Sequence, residues 1–180
     1  MSETETENAN SEVQNAEPSC KLFITPVANP VAGSWVLVKC VQDIRDAIQE
    51  LREEYGDVDM MVADSEDIPR DIIPKVGIPE AEIHEYLRLT DNYDEEVVKA
   101  YLERYSNRVP DVWKQDLDDR YVGTYRDRHE FVNEYIERFD TGDIPVSWIS
   151  YQEIVEDLAI SCEYHFIDID SGVVVLRDRI

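Results

Sequence analysis

The amino-acid sequence predicts an α+β fold made of three small domains in succession, and three observations carry that prediction. Two runs rich in β-branched and aromatic residues near the start are followed by a helix-period stretch and a third such run, which makes a ββαβ unit. Between Ile68 and Asn107 there are helix-period stretches and no convincing strand, the pattern of a small helical bundle. The last third returns to mixed character, with two capped helices and a closing β-hairpin, an α+β domain. The expected organisation is a disordered acidic tail over residues 1–19, an N-terminal α/β domain over 20–66, a helical middle domain over 67–109 and a C-terminal α+β domain over 110–180.

Each element has its own local reason. The first 18 residues hold Glu3, Glu5, Glu7, Glu12 and Glu17, no basic residue and one bulky aliphatic, Val13. Such a segment buries too little to offset the entropy of ordering, and it lacks the apolar stretch of a signal peptide. Lys21–Val27 and Trp35–Val41 read as strands, and the link containing Pro30 and Gly33 makes them an antiparallel pair with a long loop. Over Asp43–Gly56, Ile44, Ala47, Ile48, Leu51 and Tyr55 share one stripe of a helix, and Gly56 stands where a helix stops. Val58–Glu66 returns as a third strand.

In the middle, Pro79–Leu89 opens with proline in its first turn and groups Ile83, Tyr86 and Leu87. Asp94–Tyr105 groups Val97, Val98, Tyr101, Leu102 and Tyr105, and Pro69–Ile73 is a candidate for a shorter helix. Asp127–Phe139 carries a capping box, Asp127 with Glu130, ahead of a stripe of Phe131, Tyr135, Ile136 and Phe139. Ser150–Ile160 carries another, Ser150 with Glu153, ahead of Ile154, Leu158 and Ala159. Glu163–Ile169 and Val173–Ile180 form a hairpin around Asp170, Ser171 and Gly172.

Composition separates the function classes. With 43% hydrophobic residues in 180, the chain has material for a real core. Forty-one Asp and Glu against 17 Lys and Arg leave a net charge of −24, and the tail holds few of those acids, so the excess belongs to the folded part. A chain of this charge is drawn to basic surfaces, and neither nucleic acid nor an anionic membrane is expected as a partner. No apolar run approaches the length of a membrane span. Cys20, Cys40 and Cys162 are odd in number, far apart and outside any Cys-x-x-Cys pair. That fits reduced, buried thiols in a soluble cytoplasmic protein better than a disulfide framework.

The spacings that catalysis or metal binding needs are missing. His84, His129 and His165 have no second histidine within a turn, and neither His-Glu-x-x-His nor Cys-x-x-Cys supports a zinc site. The six glycines stand singly at turns or element ends, so no Gly-x-Gly-x-x-Gly or Walker loop can cradle a phosphate. Asp116, Asp118 and Asp119, in the stretch DLDDRYVGTY, crowd three carboxylates together, but an EF-hand loop needs alternating ligands, a central glycine and a distal glutamate. The expectation is a protein that is not an enzyme and needs no metal or cofactor.

What the sequence offers instead is an acidic outer face on nearly every helix. Glu50, Glu53 and Glu54 lie opposite the stripe of the first long helix, Glu80, Glu82 and Glu85 decorate the second, and Glu95, Glu96 and Glu103 the third. Glu130, Glu134 and Glu137 follow on the fourth, Glu153, Glu156 and Asp157 on the last, and Asp116, Asp118 and Asp119 stand between. Like charges one turn apart cost a few tenths of a kcal/mol each, so the pattern opposes helix stability. A solvated surface explains any one helix and not the shared sign. Adaptation to high salt is an alternative in a chain whose lysines are Lys21, Lys39, Lys75, Lys99 and Lys114 alone. The functional alternative is imitation of another polyanion. Duplex DNA carries one negative charge per ~1.7 Å of axis, so two copies of this chain would match the charge of about 80 Å of duplex.

Several stretches resemble the ArdA antirestriction family. Tyr121, Gly123, Tyr125 and Phe131 are similar to that family's Tyr-x-Gly-x-Tyr followed by an acidic helix with an embedded phenylalanine. Trp148–Leu158 is similar to its next helix, which ends in Asp157-Leu158, and Tyr164–Arg177 to its closing hairpin with a terminal arginine, Arg177. Upstream, Asn29, Gly33 and Trp35 match a motif between the first two strands, and Asp64 and Glu66 one at the end of the third. The chain departs at Ser150, where the family helix opens with an acid, and at Leu176, where its closing strand has phenylalanine. The likeness extends over about Lys21 to Ile180 and is most specific in the last third.

The resemblance implies an elongated, curved chain of three small domains and a homodimer joined through the C-terminal domain. It implies carboxylates placed like the phosphates of bent duplex DNA, which occupy the DNA groove of a type I restriction-modification enzyme and protect an incoming plasmid or phage. The apolar run Val173–Leu176 is a second reason to expect the dimer there, because an apolar edge strand left unpaired is an aggregation hazard. On this view Asp116, Asp118 and Asp119 belong to the mimetic surface, and Tyr121 and Tyr125 are core tyrosines packing on the helix at Phe131. The rival class is an acidic binding module for another basic nucleic-acid-binding protein. It shares the charge and lacks the elongated, duplex-like spacing.

Overall fold

The computed structural model describes residues 19–138 and 150–178. The expected tail, apart from Ser19, and Phe139 of the expected stripe lie outside the described residues. Among the described residues there are six α-helices and two three-stranded antiparallel sheets, a mixed α+β arrangement.

The first sheet consists of β1 (Cys20–Pro26), β2 (Ser34–Val38) and β3 (Met60–Glu66) in the order β2-β1-β3. The expected antiparallel pair is present, with Leu22 opposite Val36 and Phe23 opposite Trp35. The loop between the two strands presses so close to β1 that a Cβ on Gly33 would lie 2.3 Å from the Ile24 carbonyl oxygen. Helix α1 (Val41–Tyr55) covers one face of this sheet, and Leu22, Ile24, Val38, Ile44, Ala47, Leu51, Met60 and Val62 close the core there. Gly56, at φ 85°, ends the helix and donates its N–H to the Arg52 carbonyl at 2.8 Å. On the opposite face Trp35 is 48% and Leu37 52% exposed, with the Trp35 ring 5.5 Å from Phe23.

Helices α2 (Glu80–Thr90) and α3 (Glu95–Tyr105) form the middle, and a single 3-10 turn at Arg70–Ile72 stands where a shorter helix was a candidate. Helix α4 (Trp113–Arg120) was not anticipated from the sequence. It buries Trp113 and Leu117 completely, and the Trp113 indole donates to the Arg108 carbonyl at 3.0 Å.

The second sheet consists of β4 (Tyr121–Tyr125), β5 (Tyr164–Ile169) and β6 (Gly172–Arg177) in the order β4-β6-β5. The expected hairpin joins β5 and β6. Gly172, at φ 151°, is indispensable to it, since a Cβ there would lie 2.2 Å from the Tyr125 carbonyl oxygen. Val173–Leu176, expected as an apolar edge, occupy the central strand instead. Val174 and Leu176 enter a core shared with α3 and α4, while Val173 and Val175 enter a second core with α5 (Arg128–Glu137) and α6 (Tyr151–Ile160). A strand covered on both faces reads as an unbroken apolar run, so the run itself gives no reason for a second copy.

Both expected capping boxes have their first half. Asp127 Oδ1 accepts from the Glu130 N–H at 2.9 Å and Ser150 Oγ from the Glu153 N–H at 3.4 Å. Glu130 reaches back to the N–H of Arg126 at 2.6 Å, one residue before the cap. On α6 the buried pair is Val155 and Leu158, with Ile154 half-buried against the same core; Ala159 of the expected stripe is exposed. Phe131 packs against Tyr125, with ring centres 5.3 Å apart, and Tyr121 stacks edge-on against Tyr93. The larger core runs from β1 through α4 to one face of β6, so segments expected as separate domains share one hydrophobic cluster.

All three cysteines are free, and only Cys20 is buried. Burial, with Asp67 adding to it, pushes its thiol up to about 12. Cys40 sits exposed at the start of α1 and Cys162 in the turn after α6, both at element ends that the core does not reach.

Candidate acidic binding surface

The amphipathic stripes turn most of the candidate carboxylates outward. Glu50, Glu53 and Glu54 on α1, Glu103 on α3, Glu137 on α5 and Glu153, Glu156 and Asp157 on α6 are exposed. None of them makes an ion pair among the described residues. Two are steadied by neutral neighbours one turn away, Glu53 by Gln49 at 3.3 Å and Glu156 by Gln152 at 2.7 Å.

Others share their charge. Glu80 accepts from Arg45 at 2.8 Å and Glu95 pairs with Lys99 at 2.5 Å. Glu134 pairs with Arg138. Glu96 accepts from the Ser171 hydroxyl at 2.5 Å, which ties the hairpin turn to α3. Asp118 accepts from the Tyr93 hydroxyl and from Lys114 at 3.0 Å; the tyrosine contact leads in holding its carboxyl below the usual range. Glu82 and Asp119 are half-buried, and Glu130 is exposed while serving the cap of α5.

Two candidates are not on the surface. Glu85 is 7% exposed and held by Arg88 at 2.8 Å and His84 at 3.3 Å. Asp116 is 3% exposed and accepts from Arg120 at 2.8 Å, Arg108 at 2.9 Å and the Tyr101 hydroxyl at 3.0 Å. Asp116 and Asp118 are two residues apart, a spacing that a helix rotates onto different faces, one inward and one outward.

Asp116 leads into a polar network that the sequence did not announce. Arg120, as deeply buried as Asp116, also donates to Asp178 at 2.8 Å and lies over the Tyr105 ring at 4.4 Å. Asp178 in turn holds the Tyr105 hydroxyl and His165 Nε2, each at 2.8 Å. Burial works to raise the Asp178 pKa, but the contacts with His165, Tyr105 and Arg120 outweigh it and leave the carboxyl below its ordinary value. Of the network's ion pairs, Arg120–Asp178 joins positions 58 apart, while Asp116–Arg120 has the i,i+4 spacing of a helix pair and could be read only once α4 was known to be a helix.

Among the described residues no group of three or more His, Cys, Asp or Glu side chains could hold a metal ion. A cleft of about 460 Å³ beside α1 and α2 is lined by Arg45, Glu80, His84 and Glu85, whose charged groups already engage one another. No helix among the described residues is long and apolar enough to cross a membrane. The dominant surface feature is a set of carboxylates spread over several helices whose apolar sides are fixed in two cores.

A family model described as "Antirestriction protein (ArdA)" matches residues 30–174. No curated protein and no solved structure matches the chain.

Proposed function

The chain belongs to the ArdA family of antirestriction proteins, non-enzymatic mimics of DNA that inhibit type I restriction enzymes, and we propose that it does so through the exposed acids of its helices. The proposed surface comprises Glu50, Glu53, Glu54, Glu80, Glu82, Glu95, Glu96, Glu103, Asp118, Asp119, Glu130, Glu134, Glu137, Glu153, Glu156 and Asp157. Asp116 and Glu85 drop out because they are buried. The observation that carries this reading is the distribution: outward carboxylates on α1, α3, α5 and α6 that no basic side chain of the described residues neutralises.

A basic DNA groove loses its own counterions whether it receives DNA or such a surface, so the inhibitor competes with DNA and weakens steeply as salt rises. Each exposed pair adds only ~0.2–1 kcal/mol, and affinity therefore needs many of them in register at once. Two copies joined through the C-terminal domain, with the three domains in an elongated row, would give the length of surface that a bound duplex presents. The work belongs in the cytoplasm, on behalf of an incoming plasmid or phage.

The experiment is a titration of purified protein into a type I enzyme acting on unmodified DNA, with cleavage and modification both measured at two salt concentrations. Inhibition that competes with DNA and fades with salt is expected. Inhibition indifferent to salt and to DNA concentration would sink the proposal.

A further inference from the structure

We infer that buried Arg120 is a positioning residue for inhibition: its guanidinium fixes the register of the second sheet against α3 and α4, and with it the spacing between acidic helices on opposite sides of that sheet. The inference rests on the mimic reading above and adds a residue that carries no negative charge.

The geometry is specific. Arg120 Nε donates to Asp116 Oδ2, one turn back on α4, at 2.8 Å. Nη1 donates to Asp178 Oδ1 at 2.8 Å and to the Arg177 carbonyl at 3.2 Å, both at the end of β6, and to the Tyr105 hydroxyl on α3 at 3.3 Å. Asp178 carries the tie on to His165 of β5. One planar fork thus joins α3, α4, β5 and β6. At the other end of the hairpin, Ser171 donates to Glu96 of α3, so β6 is pinned to that helix at both ends.

Between the pins the contact is apolar, through Val174, Leu176, Ile167 and Ile169. Such contacts are non-directional and resist separation better than sliding. A guanidinium has fixed donor directions, which an apolar residue lacks and a lysine point charge does not reproduce. Buried ion pairs add little net stability over well-packed apolar groups, so specificity of arrangement is the gain that accounts for one here. The arrangement matters to function because α3 lies on one face of the sheet and α5 and α6 on the other, each with exposed acids.

Arg120→Met in the full chain tests this. Asp116 would keep Arg108 and Tyr101, and Asp178 would keep Tyr105 and His165, so no buried carboxylate is orphaned. The substitution makes the protein more negative by one charge, so a mimic working by charge alone would inhibit as well or better. The positioning role predicts inhibition weaker by about tenfold at low salt and a shallower dependence of log affinity on log salt, because fewer carboxylates meet the groove together. A purely structural loss lowers the folded fraction and leaves that slope unchanged. If Arg120→Met does not fold, Tyr105→Phe removes two of the bonds, keeps the ring under the guanidinium, and should shift the slope in the same direction. A folded variant with the parent's slope overturns the inference, whatever its affinity. Failure of the unsubstituted protein to inhibit at any salt would overturn the mimic reading itself.

Discussion

Replacing Asp116 by alanine separates an interior carboxylate from the surface ones at a cost of a single charge. The side chain is buried and accepts three hydrogen bonds, two of them from guanidinium groups. Removing one partner of a buried ion pair costs ~3–5 kcal/mol, and the lower end applies because Arg120 retains Asp178. In a chain of this size 1 kcal/mol moves the melting temperature by ~2–4 °C, so Asp116→Ala should melt about 6–12 °C below the parent. Glu134→Gln changes the charge equally but breaks only an exposed pair with Arg138, worth ~0.2–1 kcal/mol, and should barely move it. Differential scanning calorimetry at neutral pH reads both. If the two variants melt together, the interior assignment of Asp116 is wrong.

Four further outcomes are expected. Changing Glu130, Glu134, Glu137, Glu153 and Glu156 stepwise to Gln should weaken inhibition progressively and leave the helices as stable or more so, since like-charge repulsion is relieved; loss traced to one carboxylate would refute a distributed surface. A thiol reagent at pH 8 should label Cys40 and Cys162 quickly and Cys20 only on unfolding, because Cys20 is buried with its thiol pushed up to about 12; three equally fast thiols would contradict this. Burial, with Asp118 beside Tyr93 and Glu134 beside Tyr125, raises both phenols to about 12. Raised values favour the neutral form in the fold, so their contribution is intact below pH ~10 and lost as pH rises through about 12. Ultraviolet titration should show these tyrosines ionising together with unfolding in that window, and ionisation near pH 10 in a folded chain would contradict it. Light scattering at micromolar concentration should give twice the chain mass of 20.9 kDa, and a monomer would count against the dimer.

Much of the fold is written in local signals. The stripe from Ile44 to Leu51 with Gly56 behind it, the caps at Asp127 and Ser150, and the turn before Gly172 each sit within a few residues of what they specify. Helix α4 was hidden because its eight residues, WKQDLDDR, offer only Trp113 and Leu117 as an apolar pair, and three acids make the rest look like surface. The groups that decide its burial, Tyr101, Arg108 and Asp178, come from other elements. The same limit applied to Val173–Leu176: an apolar run states that it is covered, and only topology states by what. For the binding surface, helical periodicity placed most of the acids outward, while Glu85 and Asp116 needed knowledge of the neighbouring arginines. The family itself was legible in Tyr121–Phe131 and the closing hairpin.

The central place of β6 also sets an order of events during synthesis. The first sheet has all its strands once Glu66 has been made. The second does not, because β4 and β5 pair only through β6. At elongation rates of about 5–20 residues per second, β4 waits roughly 2–10 s for its partner. Until then Tyr125, Phe131, Val155 and the sheet-facing side of α3 lack the central strand whose valines complete both cores. A stop codon just ahead of Gly172 would make that waiting state permanent, leaving two strands unpaired and a nascent chain that chaperones and proteases can engage.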